Sequence, residues 1–167
     1  MRALAVVAAW LLLCGRAAGA DTIDTSVHQI TDSSYKVRLA ATLALSKSRD
    51  RRAVIALAGA LRNDDESTIR RVAALALGKL GAQGEPAALI KAAADPSSFV
   101  REAVASSIGG LPGGLDALLQ LSRDEVPQVR ASAARSLAQV KDERAQKRRG
   151  ELTGDPDPAV RRAAGGT

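Results

Sequence analysis

The sequence predicts an all-α chain, a right-handed solenoid of about four and a half stacked helix pairs. Three observations predict it. An apolar anchor recurs at Val37, Ile69, Val100, Val129 and Val160, at intervals of 32, 31, 29 and 31 residues. Five residues before each anchor stands Asp32, Asp64, Asp95, Asp124 or Asp155, and one residue after it stands Arg38, Arg70, Arg101, Arg130 or Arg161. Each anchor also opens an apolar stripe at helical spacing. One helix pair cannot bury its apolar face alone, but stacked pairs can.

Composition agrees with stacked helices. Aromatic residues make up 2% of the 167 residues, namely Trp10, Tyr35 and Phe99. The core must therefore be built from Ala, Leu, Val and Ile. Small side chains let helices approach closely, and Ala is the best helix former.

The first twenty residues read as a secretory leader. Met1-Arg2 is a short positive start, Ala3 to Leu13 is apolar, and Ala18-Gly19-Ala20 is a small-residue cleavage site. The apolar run is shorter than the roughly 20 residues a membrane span needs. Export to the periplasm or beyond is the expectation, with no span left after cleavage. An uncleaved anchor or a lipidated Cys14 are the alternatives; Leu13 before Cys14 speaks against the second. Loss of Arg2 and Arg16 lowers the net charge from +6 to +4. Cleavage also removes the one cysteine, and with it any thiol chemistry.

The elements follow in order over residues 21–140. Ile23, Val27 and Ile30 fit a short amphipathic helix. DSSYKVRLAATLALSK, Asp32 to Lys47, is the first copy of the unit. Arg49 to Arg62 is a helix with Val54, Ile55, Leu57, Ala58 and Leu61 apolar. The clearest copy is DDESTIRRVAALALGKLG, Asp64 to Gly81. Its stripe is Ile69, Val72, Ala73, Ala76, Leu77 and Leu80, with helix-starting residues before it and Gly78 and Gly81 as stops. Gly84-Glu85-Pro86 opens the helix of Leu89 and Ile90. Asp95 to Gly110 is the third copy, and Leu115 to Leu121 is the next connecting helix. Asp124 to Val140 is the fourth copy. Pro127 and Pro158 mark the first helical position, where a missing N–H costs nothing. Residues 141–167 hold the charged run KDERAQKRR and a fifth copy that stops half-way. Fraying is expected beyond Val140, so that removal of 141–167 leaves the melting temperature nearly unchanged.

The recurring D-x-x-x-x-V-R-x-x-A-A/V pattern resembles HEAT repeats of the short bacterial kind also found in phycobilisome lyases. The resemblance covers Asp32 to Ala164. It implies that the helices carrying the Val-Arg pair line the concave side. It also implies a family of scaffolds and lyase-like proteins, so it is specific for fold and weak for function.

The chemistry-bearing residues point away from catalysis. The Asp and Arg columns read as a structural ladder, Asp at a turn and Arg reaching the Asp of its own or the next unit. His28 is the only histidine, too few for a metal site of several His or Cys ligands. The paired His-Glu motifs of HEAT-repeat oxygenases are missing. Gly109 to Gly114 lacks the Gly-Lys-Ser/Thr ending of a phosphate loop and reads as a turn. Asp64-Asp65-Glu66 reads as a helix cap. Lys141, Arg144 and Arg148 would share one helical face, an anionic-surface candidate, more simply a solvated helix. The array lacks a stacking series for single-stranded nucleic acid, so nucleic acid is not an expected partner.

The candidate binding surface is the row two and six residues after each anchor. It holds Leu39, Leu43, Arg71, Leu75, Glu102, Ser106, Arg135 and Arg162, apolar at the start and basic at the end. The expected function is a non-catalytic protein-interaction scaffold without cofactor or metal, its partner another protein. An accessory lyase or chaperone-like role, or electrostatic binding of anionic polymers, are the alternatives.

Overall fold

The computed structural model of the chain describes residues 22–81 and 85–166. The expected leader, with Trp10 and Cys14, lies outside the described residues. Ten helices and no strand occur among the described residues: α1 (22–29), α2 (Tyr35–Leu45), α3 (Arg51–Asn63), α4 (Ser67–Lys79), α5 (Pro86–Ala92), α6 (Ser98–Ser107), α7 (Gly114–Leu121), α8 (Pro127–Leu137), α9 (Glu143–Leu152) and α10 (Pro158–Ala164). They form two layers. Even helices pack on even neighbours from α2 to α10, and odd helices on odd neighbours from α3 to α9. The core lies between the layers. From α4 onward successive even helices make more extensive contact than successive odd ones.

The stripes explain the layers. Ile69, Val100, Val129 and Val160 are fully buried, as are Leu45, Leu77, Ile108 and Leu137 one stripe further along the units. On the odd helices Leu57, Leu89, Leu118 and Leu152 close the core from the other side. Val37 is the exception among the anchors, only half-buried. It sits on α2, which has no even helix before it among the described residues.

Gly78 plays a different part from the one its position suggests. It does not stop α4, which runs on through Lys79. A Cβ at Gly78 would fall 2.4 Å from Ser107 Cβ and 2.9 Å from Ser107 Cα. The glycine lets α4 and α6 approach each other. Gly81, with φ of 71°, follows the end of α4 in a conformation other residues rarely adopt. Gly59 sits in α3 with nothing near its missing side chain. Gly78→Ala is expected to destabilise by about 1–2 kcal/mol through overpacking. Gly59→Ala is expected to stabilise by about 0.5–1 kcal/mol through helix propensity. Chemical denaturation of the two variants checks the opposite signs.

Residues 141–167 also depart from expectation. Instead of a frayed end, α9 and α10 pack on α7 and α8. Ala145, Leu152, Val160 and Ala164 are buried. Arg148 reaches back to α7, where Nε donates to Ser122 Oγ at 2.8 Å and Nη2 to the Ser122 carbonyl at 2.8 Å. Lys141 precedes α9, so it shares no helical face with Arg144 and Arg148. Arg144 pairs with Asp116 at 3.0 Å. Arg148 is therefore drawn into the fold, whereas Arg144 and its partner Asp116 both stay exposed at the surface.

Candidate functional site

The Asp–Arg columns position everything else. In each of four arginines Nε and Nη2 fork onto the Asp of the next unit. Arg38 grips Asp64, Arg70 grips Asp95, Arg101 grips Asp124 and Arg130 grips Asp155, with shortest distances of 2.7–2.9 Å. Nη1 of the same side chain donates to backbone carbonyls of its own unit. For Arg101 these are Asp95 O at 3.0 Å and Pro96 O at 3.3 Å. Each guanidinium thus ties two turns together.

The aspartates serve those turns rather than the helix ends. Asp64 Oδ1 accepts from Glu66 N at 2.9 Å, and Asp124 Oδ1 from Val126 N at 2.9 Å. The helix starts at Ser34, Glu66, Ser97 and Val126 carry no side-chain cap bond. Within the acidic triplet 64–66, Asp64 therefore locks the turn, and Glu66 at the helix start makes no side-chain cap bond. The ladder is largely buried. Paired Asp side chains retain 4–9% of their exposure and Arg side chains 13–16%.

These contacts move the carboxyls. The Arg130 fork holds the Asp155 carboxyl below the usual carboxylate range, against burial, which pushes it up, and with help from Asp157 N–H. Burial pushes the Asp124 carboxyl up, but the Arg101 fork and Val126 N–H outweigh it and the net shift is down. Both groups bind a proton less readily folded than unfolded. Their stabilising contribution is complete above the unfolded value of about 3.9 and fades as pH falls through the lower folded values. Thermal melts are expected to hold steady from neutral pH to about 5 and to fall below about 4. The fall is expected to be shallower in Arg130→Ala.

With the units locked in register, the even helices present their off-stripe residues on one side of the stack. Leu43 and Leu75 are 46% and 43% exposed. Phe99, one residue before its anchor, is 62% exposed. The Arg71 guanidinium lies 5.9 Å from the centre of its ring. Leu39 and Glu102 are half-buried; Arg71, Ser106, Arg135 and Arg162 are exposed. Arg135 donates to Ser132 Oγ at 2.8 Å and Arg162 to the Pro158 carbonyl at 3.3 Å. Among the described residues no carboxylate pairs with Arg71, Arg135 or Arg162. Ala131, at the matching place in α8, is buried and interrupts the row. Sequence reasoning missed Phe99. It lies three residues before Glu102 on the same helical face, and that spacing was the available signal.

His28 is exposed at the end of α1. No group of three His, Cys, Asp or Glu is arranged to hold a metal among the described residues. No described helix is long and apolar enough to cross a membrane.

A family model described as HEAT repeats matches residues 2–78, 23–109 and 115–167. No curated protein sequence matches the chain. Among solved structures, the Escherichia coli protein YibA is similar with a TM-score of 0.72 at 20% identity, over 87% of this chain. This chain spans 57% of that protein's length. The complex of CpcE and CpcF of phycocyanin lyase from Nostoc is similar with a TM-score of 0.57 at 22% identity, over 85% of this chain and 74% of that one. A designed armadillo repeat protein in complex with the peptide (KR)4 is similar with a TM-score of 0.61 at 16% identity, over 90% of this chain and 82% of that one.

Proposed function

The chain belongs to the HEAT-repeat family, and we propose that it is a non-catalytic protein-interaction scaffold that works outside the cytoplasm. The observation that carries this reading is the uncovered row Leu43, Leu75 and Phe99 with Arg71 laid over Phe99. Large apolar side chains in one exposed row mark an interaction surface. The more extensive contact between successive even helices supports the reading that the row lies on the inner side of the stack. The partner is a protein segment, extended or helical, with apolar side chains for the leucines and Phe99 and carboxylates for Arg71 and Arg135. The leader of residues 1–20 supports export.

No residue-level observation favours an accessory-lyase role over this reading; the likeness to the phycocyanin lyase complex is one of fold. The electrostatic reading loses Arg148, which is held by Ser122 and Glu151, and keeps only Arg144 exposed on α9, beside Asp116.

Peptide display against the immobilised chain tests the reading. Selected peptides are expected to combine apolar and acidic residues. Phe99→Ala and Leu75→Asp are each expected to weaken their binding about tenfold or more. Arg71→Glu is expected to weaken it most at low salt. Selection of no consensus, or binding indifferent to all three substitutions, contradicts the proposal. N-terminal sequencing of the protein from its source cell tests export; a cytoplasmic chain that keeps Met1 overturns it.

A further inference from the structure

In the middle of the even-helix row stands a charge of the opposite sign. Glu102 of α6 has cations on both sides along the stack, Arg71 on α4 and Arg135 on α8. It is half-buried, yet no Lys or Arg pairs with its carboxylate among the described residues. Its backbone carbonyl accepts from Ser106 Oγ at 3.0 Å, a bond that leaves the side-chain charge unanswered.

The neighbours that could neutralise Glu102 are each turned elsewhere. Arg71 holds the matching place on α4. Phe99 stands three residues before Glu102 and shares its helical face. The Arg71 guanidinium settles beside the Phe99 ring, 5.9 Å from its centre, and forms no pair with the Glu102 carboxylate. The matching place on α8 is Ala131, which is buried and has no charge to offer. Arg135, one turn further along α8, donates to Ser132 Oγ at 2.8 Å. Arg101, next to Glu102 in the chain, is committed to Asp124 on the ladder. A half-buried carboxylate has given up part of its hydration, and an opposite charge brought by a partner restores what it lost.

We infer that the protein segment proposed above carries a Lys or Arg that meets Glu102, set between the carboxylates that meet Arg71 and Arg135. This rests on the even-helix row being the binding face, and it adds the charge order of the ligand. The segment is apolar along Leu43 and Leu75, and acidic, basic, then acidic along Arg71, Glu102 and Arg135. Glu102 also acts against the wrong ligand. A uniformly acidic segment that satisfied the arginines would set like charges at Glu102, and such a contact costs affinity. The face thus separates a segment of mixed charge from an anionic polymer.

Peptide display on the full chain tests this, run beside Glu102→Gln and beside the exchange variant that combines Arg71→Glu with Glu102→Lys. Peptides selected on the unsubstituted chain are expected to carry a basic residue at a fixed spacing from an acidic one. Glu102→Gln is expected to weaken their binding at least about tenfold, the effect of losing one close charge pair across an interface. The same substitution is expected to tighten the binding of oligoglutamate. Opposite signs on the two ligands exclude a merely structural role for Glu102, and thermal melts check that both variants fold. The exchange variant is expected to select peptides with acid and base exchanged. Selected peptides that depend on Phe99 and Leu75 but carry no basic residue, or that bind Glu102→Gln unchanged, overturn the inference and leave the binding face standing. Selection of no consensus, or binding that Phe99→Ala and Leu75→Asp leave unchanged, overturns the face and the inference together.

Discussion

Removal of residues 141–167 is expected to lower the melting temperature by roughly 10 °C. Sequence reading alone expects almost no change, so the measurement separates the two views. The deleted pair α9–α10 buries Leu152 and Val160 against α7 and α8. Full burial of such side chains is worth about 1.5–3 kcal/mol each. Deletion also takes Asp155 from Arg130 and Arg148 from Ser122. In a solenoid each unit is held by its neighbour, so the loss falls on the adjoining pair first. Differential scanning calorimetry of the shortened chain checks the size. Amide hydrogen exchange checks the place, with α7 and α8 losing protection before α3 and α4. A melting temperature within a degree or so of the full chain would mean that the packed end adds nothing to stability.

The ladder yields the second large effect. Arg101→Ala is expected to destabilise the chain by about 2–4 kcal/mol, because truncation leaves the Asp124 carboxylate largely buried without its fork. Asp124 retains 9% of its exposure, and the pair lies in the middle of the stack. Arg101→Lys is expected to recover less than half of the loss, since an ammonium cannot fork onto two oxygens while also holding two carbonyls. Arg161→Ala provides the comparison. Arg161 keeps the same clamp on its own turn but meets no carboxylate among the described residues, and its loss is expected to cost about 1 kcal/mol or less. Equal losses at Arg101 and Arg161 would place the effect in the local clamp rather than in the bond between units.

Much of this molecule is legible in the residues alone. Anchors 29–32 residues apart and stripes at helical spacing announce helices, their pairing and their stacking. The exposure of Leu43, Arg71, Leu75, Arg135 and Arg162 follows from the same spacing, because positions off the stripe turn away from the core, whereas Leu39 and Glu102 of the same row are half-buried, Leu39 against the core. All of this is local or periodic information, and a single chain carries it in full.

Other features were decided only by neighbours in space. Each Arg grips the next unit's carboxylate and its own unit's carbonyls, a choice that the stacking distance makes. Gly78 reads as a stop but serves as a gap for Ser107, which lies 29 residues on and on another helix. Val37 belongs to the same column as Ile69 and is nevertheless half-exposed, since no even helix packs on α2 from the N-terminal side among the described residues. The polar α9 docks because Ala145 and Leu152 reach the core and Arg148 finds Ser122. A sequence sets the period because helix geometry depends on adjacent residues. What lies across each helix depends on how closely two backbones approach, and that distance exists only in the folded stack.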